Sequence, residues 1–159
     1  MIVNVSSIKK ARAELKETNT DDVKLILASS YNGNIENVKE ENKLILQFDD
    51  VTTIGNNSFN KNIAGKINRF VKKVDFNKDK LYICCDSGVS RSSAIAAAIL
   101  RKYKKNEDVI WKNYNYQPNI LVYKVLCDEF NLINYNMRLK YKQHINKKAL
   151  KRKIEESRK

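Results

Sequence analysis

Leu81-Tyr82-Ile83-Cys84-Cys85-Asp86-Ser87-Gly88-Val89-Ser90-Arg91-Ser92 begins as a short apolar strand, predicted over Leu81–Cys84, and ends at the start of an Ala-rich helix predicted over Ser92–Tyr103. A loop running from a strand into a helix N-terminus turns free backbone N–H groups inward, and the helix dipole adds positive potential at the same place. Such a nest suits a tetrahedral oxyanion, held along Asp86, Ser87, Gly88, Val89 and Ser90. Gly88 removes the side chain where the loop must curl most tightly. Arg91 closes the far end with a planar fork that matches two phosphate oxygens. Cys85 stands at the near end, where the same field favours thiolate over thiol; thiols in such settings ionise at about 3.5–7.5 instead of about 8.5. One loop thus supplies a nucleophile, an anion cradle and a clamp.

The flanking sequence gives that loop a scaffold. Ile2–Val5 is a short β-branched strand, and Ser6 or Ser7 is placed to cap a helix over Ile8–Lys16. Val23–Ser29 and Lys43–Phe48 are apolar enough for buried strands, separated by the polar, turn-rich stretch Tyr31–Asn42 with its Asn32-Gly33 pair. Ile63, Ile67, Phe70, Val71 and Val74 recur on one helical face. Asp108–Trp111 and Pro118–Phe130 read as two further helices, with Pro118 at a first helical position. Strands alternating with helices predict a single α/β domain with a mostly parallel central sheet flanked by helices.

Composition narrows the chemistry. At 159 residues and 18.5 kDa the chain has the size of one domain. Four Gly and one Pro exclude collagen-like and low-complexity classes. One His and the three cysteines Cys84, Cys85 and Cys127 lack the spacing of a zinc site, so metal catalysis is not expected. The odd cysteine count fits reduced thiols. With no basic-flanked apolar leader at Met1–Ser7 and no long apolar run, the expected compartment is the cytoplasm. A net charge of +13 favours anionic partners.

The stretch Cys85–Ser92 resembles the Cys-x5-Arg-Ser/Thr signature loop of the protein tyrosine phosphatases, in particular their small dual-specificity branch. From this chain's own composition, the pattern arises by chance in roughly three of ten thousand such chains. The resemblance implies a covalent mechanism without metal or organic cofactor, in which Cys85 attacks phosphorus, Arg91 and the loop amides hold the phosphoryl group, and Ser92 assists. It also implies a general acid some thirty-odd residues before the nucleophile. Asp49 and Asp50 both follow the strand ending at Phe48, and Asp50 stands on the loop side. Gln117-Pro118-Asn119 resembles the Pro-Asn step that opens a late helix in this branch. Two departures stand out. Cys84 occupies the place of the usual His before the nucleophile, as a buried small hydrophobe or a redox partner for Cys85 or Cys127. No Trp-Pro-Asp element exists, since the only Trp is Trp111, so the large tyrosine-specific members fit poorly.

The expected division is a phosphatase-like catalytic domain over 1–130 and a basic tail over 131–159, where ten Lys or Arg against two Glu give +8. Met137, Tyr141 and Ile145, and then Leu150 and Ile154, fall four apart, which predicts a basic amphipathic helix, either solvated or gripping a polyanion. The expected substrate is a phosphomonoester on tyrosine, serine or threonine of a protein. The alternatives are an RNA 5′-triphosphatase-like enzyme, or a catalytically weak phosphate-binding module with a nucleic-acid-binding tail.

Overall fold

The computed structural model describes residues 1–159. Strands β1 (Ile2–Ser7), β2 (Val23–Ser29), β3 (Lys43–Gln47) and β4 (Lys80–Cys85) form one sheet in the order β1-β4-β2-β3, with every neighbouring pair parallel. Along the chain α1 (Ile8–Leu15) connects β1 to β2 and α2 (Lys61–Val71) connects β3 to β4, while the parallel neighbours β2 and β3 are joined by residues 30–42. The chain then continues through α3 (Arg91–Lys102), α4 (Asp108–Trp111), α5 (Ile120–Glu129) and α6 (Tyr135–Ser157). The α/β class and the parallel central sheet are as the sequence predicts. No helix is long and apolar enough to cross a membrane.

The period-two alternation of β4 divides the core. Leu81, Ile83 and Cys85 point into the larger cluster, with Ile67, Ile95 and Ile99 from α2 and α3. Tyr82 and Cys84 face the other side, where Ile8, Ala11 and Leu15 of α1 pack with Leu25 and Leu27. The adjacent cysteines therefore lie on opposite faces of the sheet. In α3 every residue from Arg91 to Ile99 is buried, because the helix touches the sheet on one side and α5 on the other. The small side chains of Ala94, Ala96, Ala97 and Ala98 make that double contact possible, and larger ones there would overpack by about 1–3 kcal/mol.

Cap chemistry sets several boundaries. Ser7 caps α1, its hydroxyl accepting from the Lys10 N–H at 3.1 Å. α2 ends at Val71, so Val74 is buried in the turn beyond the helix and not on it. Pro118 lies outside α5, one residue before Asn119, whose side chain accepts from the Val122 N–H at 3.1 Å and caps the helix.

α6 departs most from expectation. Met137 is 81% exposed and Tyr141 62%; the inward face is instead Tyr135, Leu139, Lys142, Asn146 and Ala149. Two of these five inward side chains are polar, which apolar spacing does not register. The Lys142 ammonium donates to the Asp108 carboxylate and lies 3.8 Å from Glu107. The Asn146 carboxamide donates to the Trp111 and Tyr116 carbonyls at 3.1 and 2.8 Å.

Candidate active site

Cys85 is the last residue of β4, beside Ser7 of β1 and Ala28 of β2, so the loop that follows leaves from the carboxyl ends of the central strands. Gly88 has a φ of 72°, in the left-handed region. A Cβ there would meet the Ser7 nitrogen at 2.3 Å and the Ser6 carbonyl carbon at 2.4 Å. Both the turn and the close approach to β1 thus exclude a side chain. The carbonyls of Val89 and Ser90 accept from the Gln117 and Asn119 N–H groups at 3.0 and 3.1 Å. Across a trans peptide the N–H opposes the carbonyl, so the N–H groups of Ser90 and Arg91 turn away from that segment.

The Cys85 thiol is buried and lies 3.1 Å from the Ser92 hydroxyl, itself buried in the first turn of α3. Arg91 is 4% exposed. Its Nη1 donates to the Phe48 carbonyl at 2.8 Å and the Ser30 hydroxyl at 3.0 Å, and its Nη2 to the Asp86 carboxylate at 2.6 Å. The guanidinium also lies 5.8 Å from the Phe48 ring centre. Of its five N–H donors, the Nε–H and one on Nη2 remain, and Nε is buried without a partner.

Asp86 takes a part that its place in the loop did not suggest. Its carboxylate accepts from the Ser29 hydroxyl at 2.6 Å and the Ser30 N–H at 3.2 Å as well as from Arg91, tying the loop to the end of β2. Burial works against its charge, but the bonds from Ser29 and Arg91 outweigh that and hold its pKa below the ordinary carboxylate value.

Asp50 comes to the loop from β3. Its carboxylate accepts from the Ser90 hydroxyl at 2.8 Å and from the Asn119 carboxamide at 2.7 Å, and Asn119 also donates to the Val51 carbonyl at 3.1 Å. Asp49 is held differently, through its backbone N–H to the Asn57 carbonyl at 2.7 Å. Asn119 therefore performs three tasks: it caps α5, braces the loop through Ser90 and fixes Asp50. The sequence marks it only through the Pro118-Asn119 pair; its bond to Asp50 spans 69 residues.

Cys84 and Cys127 are free, buried thiols, and burial is the main reason both pKa values are pushed up to about 12. They are packing residues in this arrangement. Beside the loop lies a cleft of about 540 Å³. Ser87, Ser90 and Asp50 line one part of it, and Gln143, Lys147 and Leu150 of α6 line another.

No family model and no curated protein match the sequence. Solved structures do match the fold. The Cydia pomonella PTP-2 phosphatase superposes with a TM-score of 0.58 at 15% identity, over 79% of this chain and 84% of its own. DUSP15 gives 0.57 at 14%, over 94% and 91%. PTPMT1 gives 0.54 at 15%, over 86% and 94%. The chain has the fold of the dual-specificity branch of the protein tyrosine phosphatases.

Proposed function

We propose that the chain is a cysteine-dependent phosphatase that hydrolyses phosphomonoesters on tyrosine, serine or threonine of proteins. The observation that carries this reading is Arg91. A buried N–H without a partner costs about 1–3 kcal/mol, and its Nε is such a group on a side chain otherwise fixed at three points. An oxyanion held by the loop would supply the missing acceptor.

In the proposed reaction Cys85 Sγ attacks phosphorus in line, forming an S–P bond as the bond to the leaving oxygen breaks. Asp50 gives its proton to that oxygen. Water then attacks the cysteinyl-phosphate, losing a proton to Asp50, while the Ser92 hydroxyl donates to the departing sulfur. Arg91 and the loop N–H groups stabilise the phosphoryl charge in both steps. Turnover of an aryl phosphate tests the reading. It should resist chelators, yield to vanadate and vanish in Cys85→Ser, which should still bind the oxyanion. A Cys85→Ser protein with near-wild-type rate, or loss of activity with chelator, would refute it.

A further inference from the structure

The cleft beside the loop has a wall that the proposed chemistry does not use. Gln143, Asn146, Lys147 and Leu150 project from α6 at steps of three, one and three, which places them on one helical face. Asn146 anchors that face through the Trp111 and Tyr116 carbonyls, so the wall is fixed relative to the segment that braces the loop. Lys147 is the only cation among the lining residues and Asp50 the only anion. The nearby Lys112 and Lys142 are held by Asp108, whereas Lys147 is exposed and forms no ion pair.

We propose that Lys147 is a specificity-determining residue, which favours phosphorylated peptide segments carrying an acidic side chain near the phosphorylated residue. The proposal rests on the phosphoprotein phosphatase reading above and names its preferred substrates. A phosphoryl group held by the loop leaves the adjoining cleft to the chain that bears it. There Gln117 and Gln143 offer carboxamides, each both donor and acceptor, which match the alternating N–H and C=O of a peptide. A nucleic acid would present an anion at every unit, and one cation among neutral amides does not match that pattern. A single acidic side chain does.

Two phosphopeptides that differ only in carrying glutamates or glutamines beside the phosphorylated residue test this in the full chain, with p-nitrophenyl phosphate as the small reference. The wild-type protein should prefer the acidic peptide. Lys147→Glu should lower kcat/KM for that peptide by roughly three- to tenfold, mainly through KM, and less so as salt rises. The neutral peptide and the aryl phosphate should lose markedly less than the acidic peptide. Lys153→Glu, which changes an exposed lysine outside the cleft by the same charge, should leave the peptide ratio intact. Equal use of the two peptides by the wild type, equal effects of the two lysine variants, or a preference for an RNA 5′ end over both peptides would overturn the proposal. Aryl phosphate turnover reports separately on the enzymatic reading. Were it absent, the same peptide ratio read as affinity in Cys85→Ser would still decide the role of Lys147.

Discussion

Arg91 makes bonds in three directions that no other side chain supplies from one position. An ammonium at the end of a lysine is a point charge and cannot serve Phe48, Ser30 and Asp86 while presenting a fork to a phosphoryl group. Arg91→Lys should therefore lose nearly as much activity as Arg91→Ala, about 10²–10³-fold in kcat. A lysine variant with most of its activity would remove Arg91 from the clamp. Asp50→Asn should slow alkyl phosphates far more than p-nitrophenyl phosphate, because a good leaving group barely needs the proton. Asn119→Ser separates positioning from capping. Serine still caps a helix, but it has no carboxamide to reach Asp50. The variant should keep its fold and its α5 cap, lose about 1–3 kcal/mol for the missing bonds to Asp50 and Val51, and reproduce part of the leaving-group dependence of Asp50→Asn. An equal loss across all leaving groups would make Asn119 structural only.

At the scale of elements, α6 is part of the folded body even though its sequence reads as a solvated basic tail. Its docking face combines Tyr135, Leu139 and Ala149 with two polar side chains, and its outward face carries Met137 and Tyr141. Denaturant unfolding distinguishes the faces. Leu139→Ala should cost about 2–5 kcal/mol, whereas Met137→Ser should stay within about 0.5 kcal/mol. The reverse order would restore the face that apolar spacing suggests. Asn146→Ala leaves the Trp111 and Tyr116 carbonyls without that donor and should cost about 1–3 kcal/mol. Acid acts on a second contact of this helix, the Lys142–Asp108 pair. The hydrogen bond from Lys142 is the largest influence on Asp108 and holds its carboxyl below the ordinary value of 3.8. A lowered folded-state pKa means that this contribution is present above the unfolded value and fades as pH falls through the folded one. The wild type should thus lose more stability than Asp108→Asn as the solution is taken below pH 3.8.

Across the whole molecule, what was legible in the sequence is what local chemistry dictates. The loop from Cys85 to Ser92 carries its own geometry in Gly88 and its flanks, and the strands announce themselves by apolar runs, of which only the inner β2 and β4 are buried on both faces. Long-range polar bonds leave no such trace. Nothing in the spacing of Asn119 or Asn146 reveals that one meets Asp50 and the other the Trp111 and Tyr116 carbonyls. Asp86 likewise reads as a loop residue, and only the folded chain shows its carboxylate paired with Arg91 and Ser29. The bonds of Asp86, Arg91 and Asn119 join β2, the segment after β3 and the loop around Cys85, whose thiol is the proposed covalent carrier of phosphorus. Acid quench of the protein during turnover of an aryl phosphate, followed by mass spectrometry of its peptides, tests that claim most directly. One phosphoryl group is expected on the peptide containing Cys85 and none in Cys85→Ser; turnover with no phosphorylated Cys85 peptide, or phosphate carried on another residue, would refute the covalent mechanism.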